Sequence, residues 1–161
     1  MRCLSGVEEK KALEYIGAAA QIALSSSCER SRCGSVIVQG GEIIGCGFNS
    51  PPQHKEKQRR CSDSKYSYHT KVTDKTCCVH AEQRAIIDAL RKNPDKIAGS
   101  RLYFVRLDSS GKASRSGRPY CTICSKMALD VEIGEFVLWH EEGVCVYDTD
   151  EYNVFSFKYW E

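Results

Sequence analysis

Cys78-Val79-His80-Ala81-Glu82-Gln83-Arg84-Ala85-Ile86 begins a segment with helical periodicity. Ala85, Ile86, Ala89 and Leu90 recur on one face, and Arg84, Asp88, Arg91 and Lys92 on the other. The pattern predicts a helix from Val79 to about Asn93, stopped by Pro94. Pro119-Tyr120-Cys121-Thr122-Ile123-Cys124 begins a second helix, predicted from Cys121 to about Val131. Upstream, Ser5 and Glu8 have the spacing of a capping box. Leu13, Ile16, Ala20 and Leu24 then mark an amphipathic helix ending at Ser25-Ser26-Ser27. Residues 34–39 and 42–48 read as strands joined by the two-residue turn Gly40-Gly41, an antiparallel hairpin. Leu102–Leu107 and Phe136–Trp139 are further strands, and Val144–Tyr147 and Val154–Tyr159 a fifth strand, an edge segment or a short helix. The order helix, strand, strand, helix, strand, helix, strand predicts an α/β chain. Its expected form is three layers, α/β/α, with one mixed sheet of about five strands, mainly parallel after the opening hairpin.

The chain has 161 residues and a formal net charge of +2. That length fits one domain, 1–161, which buries about 70% of its unfolded surface without needing staples. The charge is too small to argue by itself for nucleic acid or membrane. No apolar run reaches the ~18 residues of a membrane helix, and the first residues lack the apolar core of a signal peptide, so a cytoplasmic protein is expected. In that setting the ten cysteines read as reduced thiols and metal ligands rather than as a disulfide framework. Apart from Cys121 and Cys124, most read as small buried apolar side chains.

His80, Cys121 and Cys124 carry the chemistry. Cys121 and Cys124 are three apart in a first helical turn, so both sulfurs share a face at the positive end of the helix, where thiolates are favoured. His80 also stands in a first turn. One imidazole and two thiolates make three ligands for Zn²⁺ and leave a fourth position open to water. Glu82, two residues from His80 and not a ligand, can carry protons to and from that water. Alone, a Cys-x-x-Cys is as readily a structural half-site or a redox pair, and a His-x-Glu a helix cap.

Together the two motifs resemble the H-x-E … P-C-x-x-C signature of the zinc-dependent cytidine and deoxycytidylate deaminases. The likeness runs from about Ser5 to Trp139 and is nearest in layout to the deoxycytidylate deaminases. It implies a cytidine deaminase-like fold and one catalytic zinc. It implies that activated water attacks C4 of a cytosine-type ring, with ammonia leaving. Gly47-Phe48-Asn49 resembles the Gly-aromatic-Asn of deoxycytidylate deaminases, which implies a substrate contact for Asn49. Turn formation before Pro51-Pro52 explains that residue equally well. The amide of Ala81 corresponds to the one that holds the base carbonyl. Tyr120 stands between Pro119 and Cys121, where the family usually has Pro directly before Cys, and becomes a candidate pocket residue.

Residues 53–77 form a long segment without apolar periodicity. It carries seven positive side chains, among them Lys55, Lys57, Arg59, Arg60, Lys65 and Lys75, against three negative ones, with Tyr66, Tyr68 and His69 interleaved. In some deoxycytidylate deaminases a similar insertion helps hold a second, structural zinc. Cys61, His69, Cys77 and Cys78 are the candidates here, at a spacing looser than structural zinc sites usually have. The basic residues suit a nucleotide phosphate, a single-stranded backbone with stacked bases, or a solvated loop. The expected substrate is a small cytosine nucleoside or nucleotide. The rivals are single-stranded nucleic acid, a non-cytosine ring such as guanine, adenine or an antibiotic, and a non-catalytic zinc-binding interaction module. The resemblance also implies a homo-oligomer.

Overall fold

A computed structural model describes residues 1–159. The hairpin forms as β2, Cys33–Gln39, and β3, Glu42–Phe48, after a two-residue strand β1, Arg2–Cys3, and helix α1, Gly6–Ala23. Then come α2, Ala81–Lys92; β4, Arg101–Leu107; β5, Ala113–Ser114; α3, Thr122–Asp130; β6, Glu135–His140; β7, Gly143–Asp148; and α4, Thr149–Phe157. The five long strands and two short ones form one sheet in the order β1-β7-β6-β4-β2-β3, with β5 paired to β4. Alternation along β2 sorts the core. Val36 and Val38 face α1 with Ile16, Ala19 and Ala23, while Ile37 faces α2 and α3 with Ala85, Ile86 and Ala128. Helices therefore cover both faces, as expected.

The sheet is mixed but not mainly parallel. Among the described residues only β4 and β6 pair in parallel; β2 runs antiparallel to both β3 and β4, and β7 antiparallel to β6. The hairpin's first strand lies between its second strand and β4, so the connection through α2 crosses over β2. β3 and β4 still point the same way, because each is antiparallel to β2. The helices that follow them, α2 and α3, consequently start at the same edge of the sheet.

The expected capping box is absent. Ser5 is the N-cap of α1 without a side-chain bond, and Glu8 instead binds the Arg2 guanidinium at 3.1 Å through both oxygens. Leu13, Leu24 and Leu90, expected in the core, are exposed. The segment after β7 becomes α4, whose Tyr152 stacks on Phe136 at 4.0 Å. Cys3 and Cys145, expected as reduced thiols, face each other across the β1–β7 pair and form a disulfide. That pairing rests on a two-residue strand, too short to leave a periodic signal. No helix among the described residues is long and apolar enough to cross a membrane.

Candidate metal centre and active-site cavity

His80 is the N-cap of α2 and Cys121 the N-cap of α3, so each ligand candidate sits where chain enters a helix at the shared edge. The His80 amide donates to Gln83 Oε1 at 3.0 Å, which fixes that entry. His80 Nδ1 stands 3.2 Å from Cys121 Sγ and 3.3 Å from Cys124 Sγ. The three donor atoms all lie within 4.8 Å of one another. Thr76 Oγ1 donates to Asp74 at 2.6 Å and lies 3.4 Å from His80 Nε2, where it can accept the ring proton. With a neutral ring, that chain of bonds would leave the Nδ1 lone pair free for a metal, an outer-sphere arrangement common to metal-binding histidines. Sequence reasoning missed Asp74 and Thr76, which sit in the aperiodic insertion.

The electrostatics suit a cation. The Cys121 thiol is lowered to about 4, first by the hydrogen bond from the Cys124 thiol and then by His80. Cys124 is raised in turn by the bond to Cys121 and by burial. The pair thus holds one thiolate without a metal, and His80 is raised to about 9 chiefly by its bond to Cys121. A divalent ion held by these three residues would displace the remaining protons and satisfy both sulfurs, so the donor set fits zinc. Glu82 lies one residue into α2, 3% exposed, with its carboxyl raised to about 7 by burial and then by the Cys121 charge.

A cavity of about 250 Å³ is lined by His80 and Glu82. Among the described residues Glu82 is its single carboxylate, while Arg30, Arg60, Lys65, Lys75 and Arg106 bring five cations to its wall. Ala81 lines it as the first residue of α2, whose amide has no acceptor inside the helix. Asn49 lines it too, but its side chain is already engaged. Its Oδ1 accepts from Ser26 Oγ at 2.6 Å and the Cys33 amide at 2.8 Å, and its Nδ2 donates to the Ser31 carbonyl at 2.8 Å. One amide hydrogen is left for a ligand. Tyr120 forms part of the same wall.

The insertion is tied at its base, where the Val79 amide donates to the Ser50 carbonyl at 3.0 Å. It carries a second sulfur cluster beside the cavity. Cys28, Cys61 and Cys78 place their sulfurs within 4.8 Å of one another. Cys77 Sγ lies 3.5 Å from Cys61 Sγ and 3.8 Å from Cys78 Sγ. His69 is not among them; its Nδ1 accepts from the Lys71 amide at 3.2 Å. Cys28 takes the place expected of His69. It comes from the α1–β2 connection, and no sequence spacing links it to the insertion.

Residues 9–140 match the family described as the cytidine and deoxycytidylate deaminase zinc-binding region. No curated protein matches the chain. Among solved structures, deoxycytidylate (dCMP) deaminase from the cyanophage S-TIM5 in apo form is 22% identical, with a TM-score of 0.53 over 79% of this chain and 80% of that one. The same enzyme with dCMP and dUMP is 23% identical, with a TM-score of 0.53 over 83% and 82%. Cytidine deaminase from Burkholderia pseudomallei is 18% identical, with a TM-score of 0.54 over 87% and 94%. These likenesses share the fold, and the match across residues 9–140 decides the rest: the chain belongs to the cytidine and deoxycytidylate deaminases, a family of zinc-dependent hydrolytic deaminases.

Proposed function

We propose that the chain hydrolyses the exocyclic amine of cytosine in a mononucleotide, converting a dCMP-like substrate and water to the uracil nucleotide and ammonia. The observation that carries this reading is the convergence of His80, Cys121 and Cys124 at a cavity lined by His80 and the buried Glu82, with five cations on its wall. His80, Cys121 and Cys124 would hold zinc, which supplies Lewis-acid activation of water when bound. Glu82 accepts a proton from that water and returns protons to the ring nitrogen and the departing amine. Its burial suits both directions, since a carboxyl raised to about 7 gains and loses a proton near neutrality. The Ala81 amide holds the base carbonyl, and Asn49 offers its remaining hydrogen to the sugar. A phosphate fits a wall with an excess of guanidinium and ammonium groups, and a fold relative is solved with dCMP and dUMP.

The sulfurs of Cys28, Cys61, Cys77 and Cys78 would take a second zinc, in the four-thiolate set of closed structural sites. Arg59 donates to Cys61 Sγ at 3.4 Å, which offsets part of the charge of such a set. One feature favours a longer substrate: Tyr66 is 99% exposed and next to Lys65, which lines the cavity.

Zinc analysis and ammonia release test the reading together. Wild type is expected to hold two zinc ions and to release ammonia from dCMP faster than from a single-stranded oligonucleotide. Glu82→Gln should keep both ions and lose about 10²- to 10⁴-fold in turnover. Cys28→Ser should lose one ion. An active Glu82→Gln enzyme would overturn the proton-shuttle assignment.

A further inference from the structure

Arg106 is a half-buried guanidinium with few partners among the described residues. Its backbone is fixed from two sides, opposite Cys33 on β2 and opposite Ser114 on β5, so the side chain projects from a rigid position. Its side chain makes one hydrogen bond, a long one of 3.4 Å from Nη2 to Tyr120 Oη, and its Nε is buried without a partner. The Cys33 thiol is its other neighbour. No ion pair among the described residues includes it. Arg101 is held by Glu135 at 2.6 Å, and Arg59 by Glu56 at 2.7 Å. Arg84 also lacks a carboxylate and has a buried, unpaired Nε, but its Nη2 donates to the carbonyls of Ser50 and Pro51 at 3.3 and 3.0 Å.

A half-buried cation without an anion is costly, and a buried donor without an acceptor adds to the cost. Arg106 lines the cavity that also holds Glu82. Glu82 cannot serve as its partner and still exchange protons beside the metal ligands. A ligand entering the cavity can supply that anion.

We propose that Arg106, oriented by Tyr120, is a specificity-determining residue that receives an oxyanion of the substrate. The inference rests on the deaminase reading for its place in the reaction, but its anion-binding content stands apart from turnover. Two chemistries can deliver that oxyanion, a phosphate ester on the sugar and a carboxylate on the ring. Tyr120, inserted between Pro119 and Cys121, adds a hydroxyl beside the guanidinium and couples this subsite to the entry of α3. The extended β4 and its partner β5 supply the backbone that holds Arg106 in place.

The experiment compares wild type, Arg106→Gln, Arg106→Lys and Tyr120→Phe on deoxycytidine, dCMP and 5-carboxydeoxycytidine. For the substrate carrying the matching oxyanion, Arg106→Gln should lower kcat/KM about 10- to 100-fold, mainly through KM. For deoxycytidine the change should stay below about threefold, with zinc content unaltered. Arg106→Lys should recover part of the loss, and Tyr120→Phe should fall between wild type and Arg106→Gln. A loss confined to dCMP assigns the phosphate, and one confined to the carboxylated ring assigns the carboxylate. Equal losses on neutral and anionic substrates, or none on any, overturn the proposal. Should wild type release no ammonia from any of them, the deaminase reading fails. Calorimetric titration of inorganic phosphate and of 5-carboxycytosine into wild type and Arg106→Gln then decides the anion site. It survives if either anion binds about tenfold or more weakly to the variant and falls if both bind the two proteins alike.

Discussion

A Cβ on Gly47 would stand 2.4 Å from the Ala81 carbonyl oxygen and 2.5 Å from the Ala85 amide nitrogen. Both are backbone atoms of α2, so no side chain can swing away to make room. Gly45 meets the same helix one turn on, 2.5 Å from the Ala85 carbonyl oxygen. The two glycines let α2 lie against β3, and that close approach holds His80 and Glu82 over the sheet edge. Gly47→Ala is therefore expected to cost about 3 kcal/mol and to weaken zinc binding, because the helix start must shift. Urea denaturation and a competitive zinc titration measure the two effects; a variant normal in both would contradict the account. The convergence of His80, Cys121 and Cys124 was legible at this scale because helix-terminal cysteines three apart and a His-x-Glu pair are local patterns. Asn49 was legible only as two competing roles, and its bonds to Ser26, Cys33 and Ser31 depend on a loop that sequence periodicity does not reach. Arg106 left no signal at all, since nothing in a strand sequence reveals which cation lacks an anion.

Helix α2 also guards the open side of the sheet. β3 is an edge strand, and Asp88 accepts from its Cys46 amide at 3.1 Å while binding Lys92 at 2.8 Å. Burial would raise the Asp88 carboxyl, but the bonds from Lys92 and the Cys46 amide outweigh it and hold the group below its ordinary value. A folded-state depression stabilises the fold above the unfolded carboxyl pKa of about 3.9, and that contribution is lost as pH falls through the lower folded value. Asp88→Asn should cost about 1 kcal/mol at pH 7, and the gap to wild type should close in acid. Denaturation midpoints at pH 7 and pH 3 test the sign; a gap that widens in acid would refute it. Element types were legible where periodicity is long, as in the β2–β3 hairpin, α2 and α3. Their spatial order was not, because β2 pairs with both β3 and β4 and local sequence is silent about which strand lies between two others. Helix α4 was missed as a single element because its buried face is narrow, with only Thr149, Tyr152 and Ser156 buried along it.

Across the whole molecule, the Cys3–Cys145 bond joins residues 142 apart and closes nearly the full chain into one loop. Chain entropy gives a cross-link of that span about 5 kcal/mol, acting on the unfolded state. The folded state depends on it far less. β1 contributes only two residue pairs to the sheet, while one core cluster draws on α2, α3 and the long strands and the other on α1 and the long strands. The reduced protein is thus expected to keep its native circular dichroism and its zinc while its urea midpoint falls. Cys3→Ser should show the same fall without reductant, and added reductant should then change nothing further at this bond. Reductant also reaches the thiols beside the cavity, so the variant separates the two sulfur systems. A fall in wild type that Cys3→Ser does not reproduce would trace the stability to Cys28, Cys61, Cys77 and Cys78 instead. An unfolded Cys3→Ser chain would mean that β7 cannot hold its place at the sheet's edge without the tether.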